Sequence, residues 1–225
     1  MSKRLNLTVQ ETSRHLSRLS DAMLIKKDVD GLYYLTPYGD HAIKLFPGFK
    51  FLSQHREYFT THTISNLPQE FISRIGDLEN CTFENDVMLA FHGLENMIRE
   101  AQDHIWILST QILMSSQPLA VEAVKRGVEF RLILPKDMTP PPDYKPSGLK
   151  TELVKLRILK RVDVAIAMSE KEGGICFPTT DGRIDYLGFG IPHSTDERSH
   201  KWIKDLFLYY WERAKPGKPK DYPSP

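Results

Sequence analysis

Arg14 and Arg18 stand four residues apart in the run Val9–Asp21, with Gln10 ahead of them and Ser17 between them. These are residue types that hydrogen-bond nucleic acid. Arginine can hold guanine in bidentate fashion and glutamine can hold adenine, each good pair giving about 1–3 kcal/mol of discrimination. Placed at about 100° per residue, Gln10, Glu11, Arg14, Ser17, Arg18 and Asp21 share one side of a helix, with Ser13 and His15 on its flanks. On the opposite side Val9, Thr12, Leu16, Leu19 and Met23 recur at steps of three and four, a narrow stripe suited to burial.

The helix has a start signal. Thr8-Val9-Gln10-Glu11 fits a capping box, with Leu7 where a hydrophobic staple would stand. An ordinary amphipathic helix with a solvated charged face gives the same pattern, so the helix alone does not decide. The next residues favour nucleic acid. Leu24-Ile25-Lys26-Lys27 and Leu32-Tyr33-Tyr34-Leu35 are β-prone runs, and Asp30-Gly31 between them readily supplies the positive φ angles of a hairpin. Lys26 and Lys27 on one strand and Tyr33 and Tyr34 on the other suit a wing lying along a phosphate backbone. Through residue 27 there are six Lys or Arg against two acidic residues, whereas the whole chain carries only +1. A locally basic end on a near-neutral protein is a modest electrostatic footprint for nucleic acid.

The segment resembles the recognition helix and wing of archaeal winged-helix transcription regulators of the ArsR-like type. The resemblance rests on Ser13-Arg14-His15-Leu16-Ser17-Arg18-Leu19, the wing Asp30-Gly31-Leu32-Tyr33-Tyr34-Leu35 and the exit Leu35-Thr36-Pro37-Tyr38-Gly39. It continues into the rest of the chain, which is similar to the middle-domain family of methanogenesis regulators. There it rests on His55-Arg56-Glu57-Tyr58-Phe59, on Leu67-Pro68-Gln69-Glu70-Phe71 and on the Phe189-Gly190-Ile191-Pro192 turn. Winged helices of this kind carry two further helices ahead of the recognition helix, and only seven residues precede Thr8. Three expectations stay open: an upstream start, a stripe covered by a partner or by the segment after the wing, or a half-domain that no longer binds DNA.

Composition excludes other classes. Hydrophobic content of 40% and charged content of 26% describe an ordinary soluble globule of 225 residues. No apolar run approaches the ~20 residues that span a bilayer, and no signal peptide is visible. Cys81 and Cys176 form neither a CxxC pair nor a disulfide framework, which fits a cytoplasmic location. His55 and His62, or His193 and His200, lack further spaced ligands, so neither a metal nor a cofactor is expected.

Along the chain, Asp40 to about Leu52 reads as a helix interrupted at Pro47-Gly48, in an aromatic connector containing Phe46, Phe49, Phe51, Tyr58 and Phe59. Such helices pair across dimers or dock on their own domain. Further helices are expected over Gln69–Gly76, Glu84–Ala101 and Pro118–Arg126. Strands are expected at His104–Ser109 and Val128–Leu134, forming a parallel crossover with the last of those helices. Thr139–Ser147, with four prolines, reads as a loop and Lys150–Lys160 as a helix. Short strands follow at Val162–Met168, Gly174–Pro178 and Tyr186–Phe189. A second capping box, Ser194-Thr195-Asp196-Glu197, opens a last helix carrying Trp202, Ile203, Leu206, Phe207 and Tyr210 on one face.

This order resembles half of a phospholipase-D-like fold, the fold of the sugar-sensing domain in some archaeal regulators. Phosphodiesterases of that fold use a His-x-Lys-x(4)-Asp motif. In the matching place stand Arg161, Asp163 and Met168, which supply neither nucleophile nor neighbouring cation. There is also no GxGxxG, Walker loop or GxSxG elbow, so no catalytic residue is expected.

The expected fold is therefore α/β, or α+β taken as a whole: a partial winged helix-turn-helix followed by a phospholipase-D-like sensor domain. The divisions are 1–45 (recognition helix 8–22, wing 24–36), a helical connector 46–80, an α/β effector or dimerisation domain 81–215, and a disordered tail 216–225. Expected partners are double-stranded DNA at a palindromic operator, a second copy of the chain, and a small-molecule effector, with no membrane. DNA contacts are expected from Gln10, Ser13, Arg14, Ser17, Arg18, Lys26, Lys27 and Tyr33. An effector is expected at the carboxyl ends of the parallel strands, near Ser109, Thr110, Arg161 and Asp163, although a polar strand end that is merely solvated gives the same pattern. The rival expectation is a ligand-binding or dimerisation module with a vestigial winged-helix remnant that does not bind DNA.

Overall fold

Local signals at the start of the chain produce the elements they predict. A computed structural model describes residues 6–139, 141, 152–186, 188–192 and 196–217. The chain divides into two compact units, Met1–Lys50 and Phe51–Pro225. The first contains helix α1 (Val9–Asp21), a ribbon of β1 (Ile25–Lys27) and β2 (Tyr33–Leu35), and most of α2 (Pro37–Gln54). Pro47 lies inside α2, which runs on through the expected interruption.

The second unit follows α2 with α3 (Arg56–Phe59), α4 (Gln69–Ser73) and a 3-10 turn (Ile75–Leu78). Then come β3 (Thr82–Glu84), α5 (Val87–Glu100), β4 (His104–Leu108), α6 (Gln117–Lys125), β5 (Glu129–Pro135), β6 (Val154–Leu159), β7 (Ala165–Ser169), β8 (Gly173–Cys176), β9 (Phe189–Ile191), α7 (Glu197–Arg213) and β10 (Lys215–Pro216). The strands join one sheet in the order β10-β6-β5-β4-β7-β8-β9-β3. β6, β5 and β4 are mutually parallel, with His104 opposite Glu129 and Phe130 opposite Val154; the remaining pairs are antiparallel. The mixed α/β class expected from the sequence is the class observed.

Alternation along the strands sends side chains to two cores. Trp106, Leu108, Ile133, Ile166 and Met168 pack with Trp202, Ile203, Leu206 and Phe207 of α7. Ile105, Ala167 and Val128 pack with Met97, Ile98 and Ala123 of α5 and α6. Complete burial of each large side chain contributes about 1.5–3 kcal/mol.

Several expectations are corrected. Within the span expected as the helix Lys150–Lys160, Val154–Leu159 forms β6, because Val-Lys-Leu-Arg-Ile-Leu alternates and completes the parallel ladder beside β5. The helix expected from Glu84 starts at Val87, capped by Asp86, since Thr82–Glu84 is taken by edge strand β3. Gln69–Gly76 divides into α4 and the 3-10 turn. Lys215–Pro216 pairs with Arg157 and Ile158 of β6 instead of opening the tail. The α7 cap is Asp196, whose Oδ1 accepts from the Arg198 and Ser199 N–H groups at 3.2 and 3.4 Å. Ser194 and Thr195, residues 142–151, and the tail from 218 lie outside the described residues. The connector aromatics divide: Phe51 is fully buried against Phe59 and Phe83, whereas Phe46 and Phe49 are exposed.

Candidate nucleic-acid interface

Thr8 takes an extended backbone (φ −68°, ψ 158°) and turns the chain into α1. Its Oγ1 accepts from the Glu11 N–H at 3.2 Å, and the Thr8 N–H donates to Glu11 Oε2 at 2.8 Å. Two donors that no helix can satisfy internally at its start are thus paired. Those bonds hold the Glu11 carboxyl below its ordinary value, so the helix begins beside a carboxylate that complements its dipole.

On the helix so fixed, Gln10, Ser13, Arg14, Ser17 and Arg18 are all exposed. The other side is open too. Val9 is 78% exposed and Met23 70%, and no residue of α1 is buried. The expected burial of the apolar stripe is corrected accordingly: Thr12 and Leu16 alone of its five residues are partly covered. One helix, a ribbon of three-residue strands and α2 give too little surface to enclose it.

In the ribbon, Lys26 faces Tyr34 and Lys27 faces Tyr33 across the strands. Lys26 Nζ lies 4.9 Å from the Tyr34 ring centre and Lys27 Nζ 5.6 Å from that of Tyr33. Successive strand residues point to opposite faces, so each face presents one ammonium on one aromatic ring. Gly31 has the expected positive φ, +86°, but Asp30 does not: the Asp28 N–H donates to the Leu32 carbonyl at 2.9 Å, and Asp28 Oδ1 accepts from the Leu32 N–H at 2.7 Å. Tyr34, outside the expected contact set, is the partner of Lys26; counting outward from a two-residue Asp30-Gly31 turn would set Lys27 opposite Tyr34 instead, and the three-residue loop 29–31 shifts the register by one.

Thr36 joins ribbon to helix. Its hydroxyl donates to the Met23 carbonyl at 2.6 Å and accepts from the Gly39 N–H at 2.9 Å, capping α2. A Cβ built at Gly39 would overlap the Leu24 carbonyl oxygen, so glycine is what lets α2 approach.

The four expected effector residues separate into two pairs. Ser109 Oγ lies 2.8 Å from Tyr186 Oη, which also accepts from the Thr110 N–H at 2.9 Å. Both border the end of β4, and Ser109 and Tyr186 line a cavity of about 230 Å³. Arg161 and Asp163 instead pair with each other at 2.7 Å and do not line that cavity. They precede β7 rather than lying on it, since the strand expected from Val162 starts at Ala165. Nothing local marks Tyr186, which is far from Ser109 in sequence.

His55 and His62 pack against aromatic rings, His200 Nε2 lies 3.0 Å from the Ser169 carbonyl, and His193 lies outside the described residues. His55 stacks edge-on against Phe51 and Phe83, and burial lowers its pKa. His62 stacks on Tyr58 with ring centres 3.7 Å apart, and its Nε2 is 3.4 Å from Asp185. Among the described residues, no group of three His, Cys, Asp or Glu could hold a metal ion, and no helix is long and apolar enough to cross a membrane.

No protein-family model and no curated protein matches the chain. Among solved structures it is similar to TrmBL2, an archaeal chromatin protein whose structure shows a novel mode of DNA binding. That match has a TM-score of 0.50 and 18% identity over 94% of this chain and 84% of that one. At this identity the likeness shows the fold. NucT from Helicobacter pylori matches with a TM-score of 0.39 and 14% identity, over 60% of this chain and 100% of that one. Nuc from Salmonella typhimurium, a phospholipase D family member, matches at 0.37 and 11%, over 57% and 90%.

Proposed function

We propose that this chain binds duplex DNA through α1 and the ribbon and acts as a transcription regulator in the cytoplasm, as the ArsR-like resemblance implies. The observation that carries the proposal is the joint exposure of Gln10, Arg14, Ser17 and Arg18 along one side of a capped helix. Gln10, Arg14, Ser17 and Arg18 read the major groove, with Ser13 at its edge, while one face of the ribbon, either Lys27 with Tyr33 or Lys26 with Tyr34, grips the backbone. DNA binding by TrmBL2, which shares the fold, supports the same direction. Free, buried Cys81 and Cys176 are in keeping with a reducing compartment.

The second copy of the chain in this proposal is motivated by apolar side chains left in the open: Val9, Leu19 and Met23 on α1, and Ile43, Leu45, Phe46 and Phe49 on α2. A two-fold dimer would present two α1 helices about 34 Å apart to a palindromic site. An effector that binds one dimer geometry better would shift occupancy by its differential affinity. No catalytic step is assigned. The positions where a phosphodiesterase would carry its histidine and lysine hold an arginine and an aspartate that neutralise each other.

Fluorescence anisotropy against duplex DNA across a salt series tests this. Affinity should fall with a log–log slope of about −0.9 per neutralised phosphate, and Arg14→Ala should remove preference for a selected sequence. Salt-dependent binding without any sequence preference would remove the operator and leave general DNA binding. No binding at low salt would leave the rival, a dimerisation module whose exposed stripe is its working surface.

A further inference from the structure

We infer that the cavity between α5, α6 and the β4–β5–β6 face of the sheet binds a small, uncharged, largely apolar molecule; this deepens the effector role proposed above by naming the ligand's chemistry. The cavity measures about 230 Å³, roughly eight times the volume of a water molecule in the liquid. Its walls are hydrocarbon: Phe91 and Leu94 from α5, Ala120 and Val121 from α6, Ile107 and Leu132 from the sheet. None of the described residues lining it is charged.

At its rim Ser109, Ser116 and Tyr186 are engaged with neighbouring groups, and the side chains of Gln111 and Gln117 also line it. Tyr186 Oη accepts from the Thr110 N–H and lies within hydrogen-bond distance of both the Ser109 and Thr110 hydroxyls, at 2.8 and 2.9 Å. Ser109 Oγ also accepts from the Gln111 N–H at 3.1 Å. A carboxylate or ammonium entering here would lose its hydration with no countercharge among the described lining residues, and the hydrocarbon walls offer a polyhydroxyl no partners away from the rim. An aromatic or alicyclic ring loses nothing, and a single polar substituent can turn to the hydroxyl rim. The space opens to the surface, so a ligand can enter it, and a concave site with mostly apolar walls and a few polar groups at its rim suits a small organic molecule. The contrast within the same domain is sharp. The larger cleft between α5 and α7, about 1010 Å³, is lined by Glu170, Lys171, Glu172 and Lys201.

Titration calorimetry of the whole chain tests the inference with three probes: indole, benzoate as a charged ring, and glucose as a polyhydroxyl. Indole should bind with a Kd of about 1 mM or tighter, and the other two at least about tenfold more weakly. Ala120→Phe fills the cavity from the helix side and Val154→Phe from the sheet side. Each should weaken indole by about tenfold or more while unfolding stays cooperative. The inference is overturned if indole fails to bind, if glucose or benzoate binds as well as indole, or if both filled variants still bind indole normally. Duplex affinity measured with saturating indole separates the two claims. If indole binds and is lost in both variants while DNA affinity never moves, the site stands and the effector role falls.

Discussion

Lys26 and Lys27 adjoin in sequence yet lie on opposite faces of the ribbon, each over a different tyrosine, at 4.9 Å from Tyr34 and 5.6 Å from Tyr33. A ribbon lying along a phosphate backbone can offer it one face only. Lys26→Ala and Lys27→Ala should therefore have unequal effects in the anisotropy assay. One should lower both affinity and the salt slope by about one phosphate, and the other should do neither. Equal losses would mean that the ribbon meets DNA by its tip or edge.

The capping box makes α1 separable from the rest. Thr8→Ala removes the hydroxyl that accepts from Glu11 and should cost about 1 kcal/mol, within the helix. Amide exchange should speed up over Val9–Asp21 and stay unchanged in β4 and β5. A global fall in stability would contradict this localisation.

Gly39→Ala brings a methyl group onto the Leu24 carbonyl oxygen, which is main chain and cannot swing away. The expected loss is about 1–3 kcal/mol, confined to the unit Met1–Lys50. The ribbon should lose exchange protection, and DNA affinity should fall although no contact residue has changed. Full retention of both would show that α2 can shift without cost.

Glu170 provides a pH dependence. Burial alone would raise its pKa, but N–H groups of Gln102, Asp103 and His104 donate to its carboxylate and hold it below the ordinary value. A depressed folded-state value means that the ionised carboxylate stabilises the fold at neutral pH. That contribution is lost as pH falls through the folded value. Urea midpoints should thus decline below about pH 5, and Glu170→Gln should both lower the neutral-pH midpoint and flatten the decline. An unchanged profile in that variant would assign the acid sensitivity to other carboxylates.

Much of the exposed polar side of α1 was legible because a helix face is a local quantity. Which of Gln10, Arg14, Ser17 and Arg18 share a side follows from spacing alone, whereas the ribbon's register depends on the three-residue loop 29–31, which the Asp-Gly pair does not by itself reveal. The cavity beside β4 was half legible. Ser109 and Thr110 stand at a strand end that pattern can find, but Tyr186, expected to open a strand that in fact starts at Phe189, is brought to them from 77 residues away. Arg161 and Asp163 looked equally suitable as isolated polar residues. They turned out to satisfy each other at 2.7 Å, and no one-dimensional spacing reveals that they leave the cavity.

From the sequence alone followed the capping of α1, the closing turn of the ribbon, the β4–α6–β5 crossover and the apolar face of α7, since each depends on residues within a few positions of one another. Tertiary structure decided that Val154–Leu159 is a strand, because a short alternating run becomes one only when β5 offers it a ladder. It also decided that the stripe from Val9 to Met23 stays uncovered, because burial depends on what else is near and not on the periodicity of the helix itself.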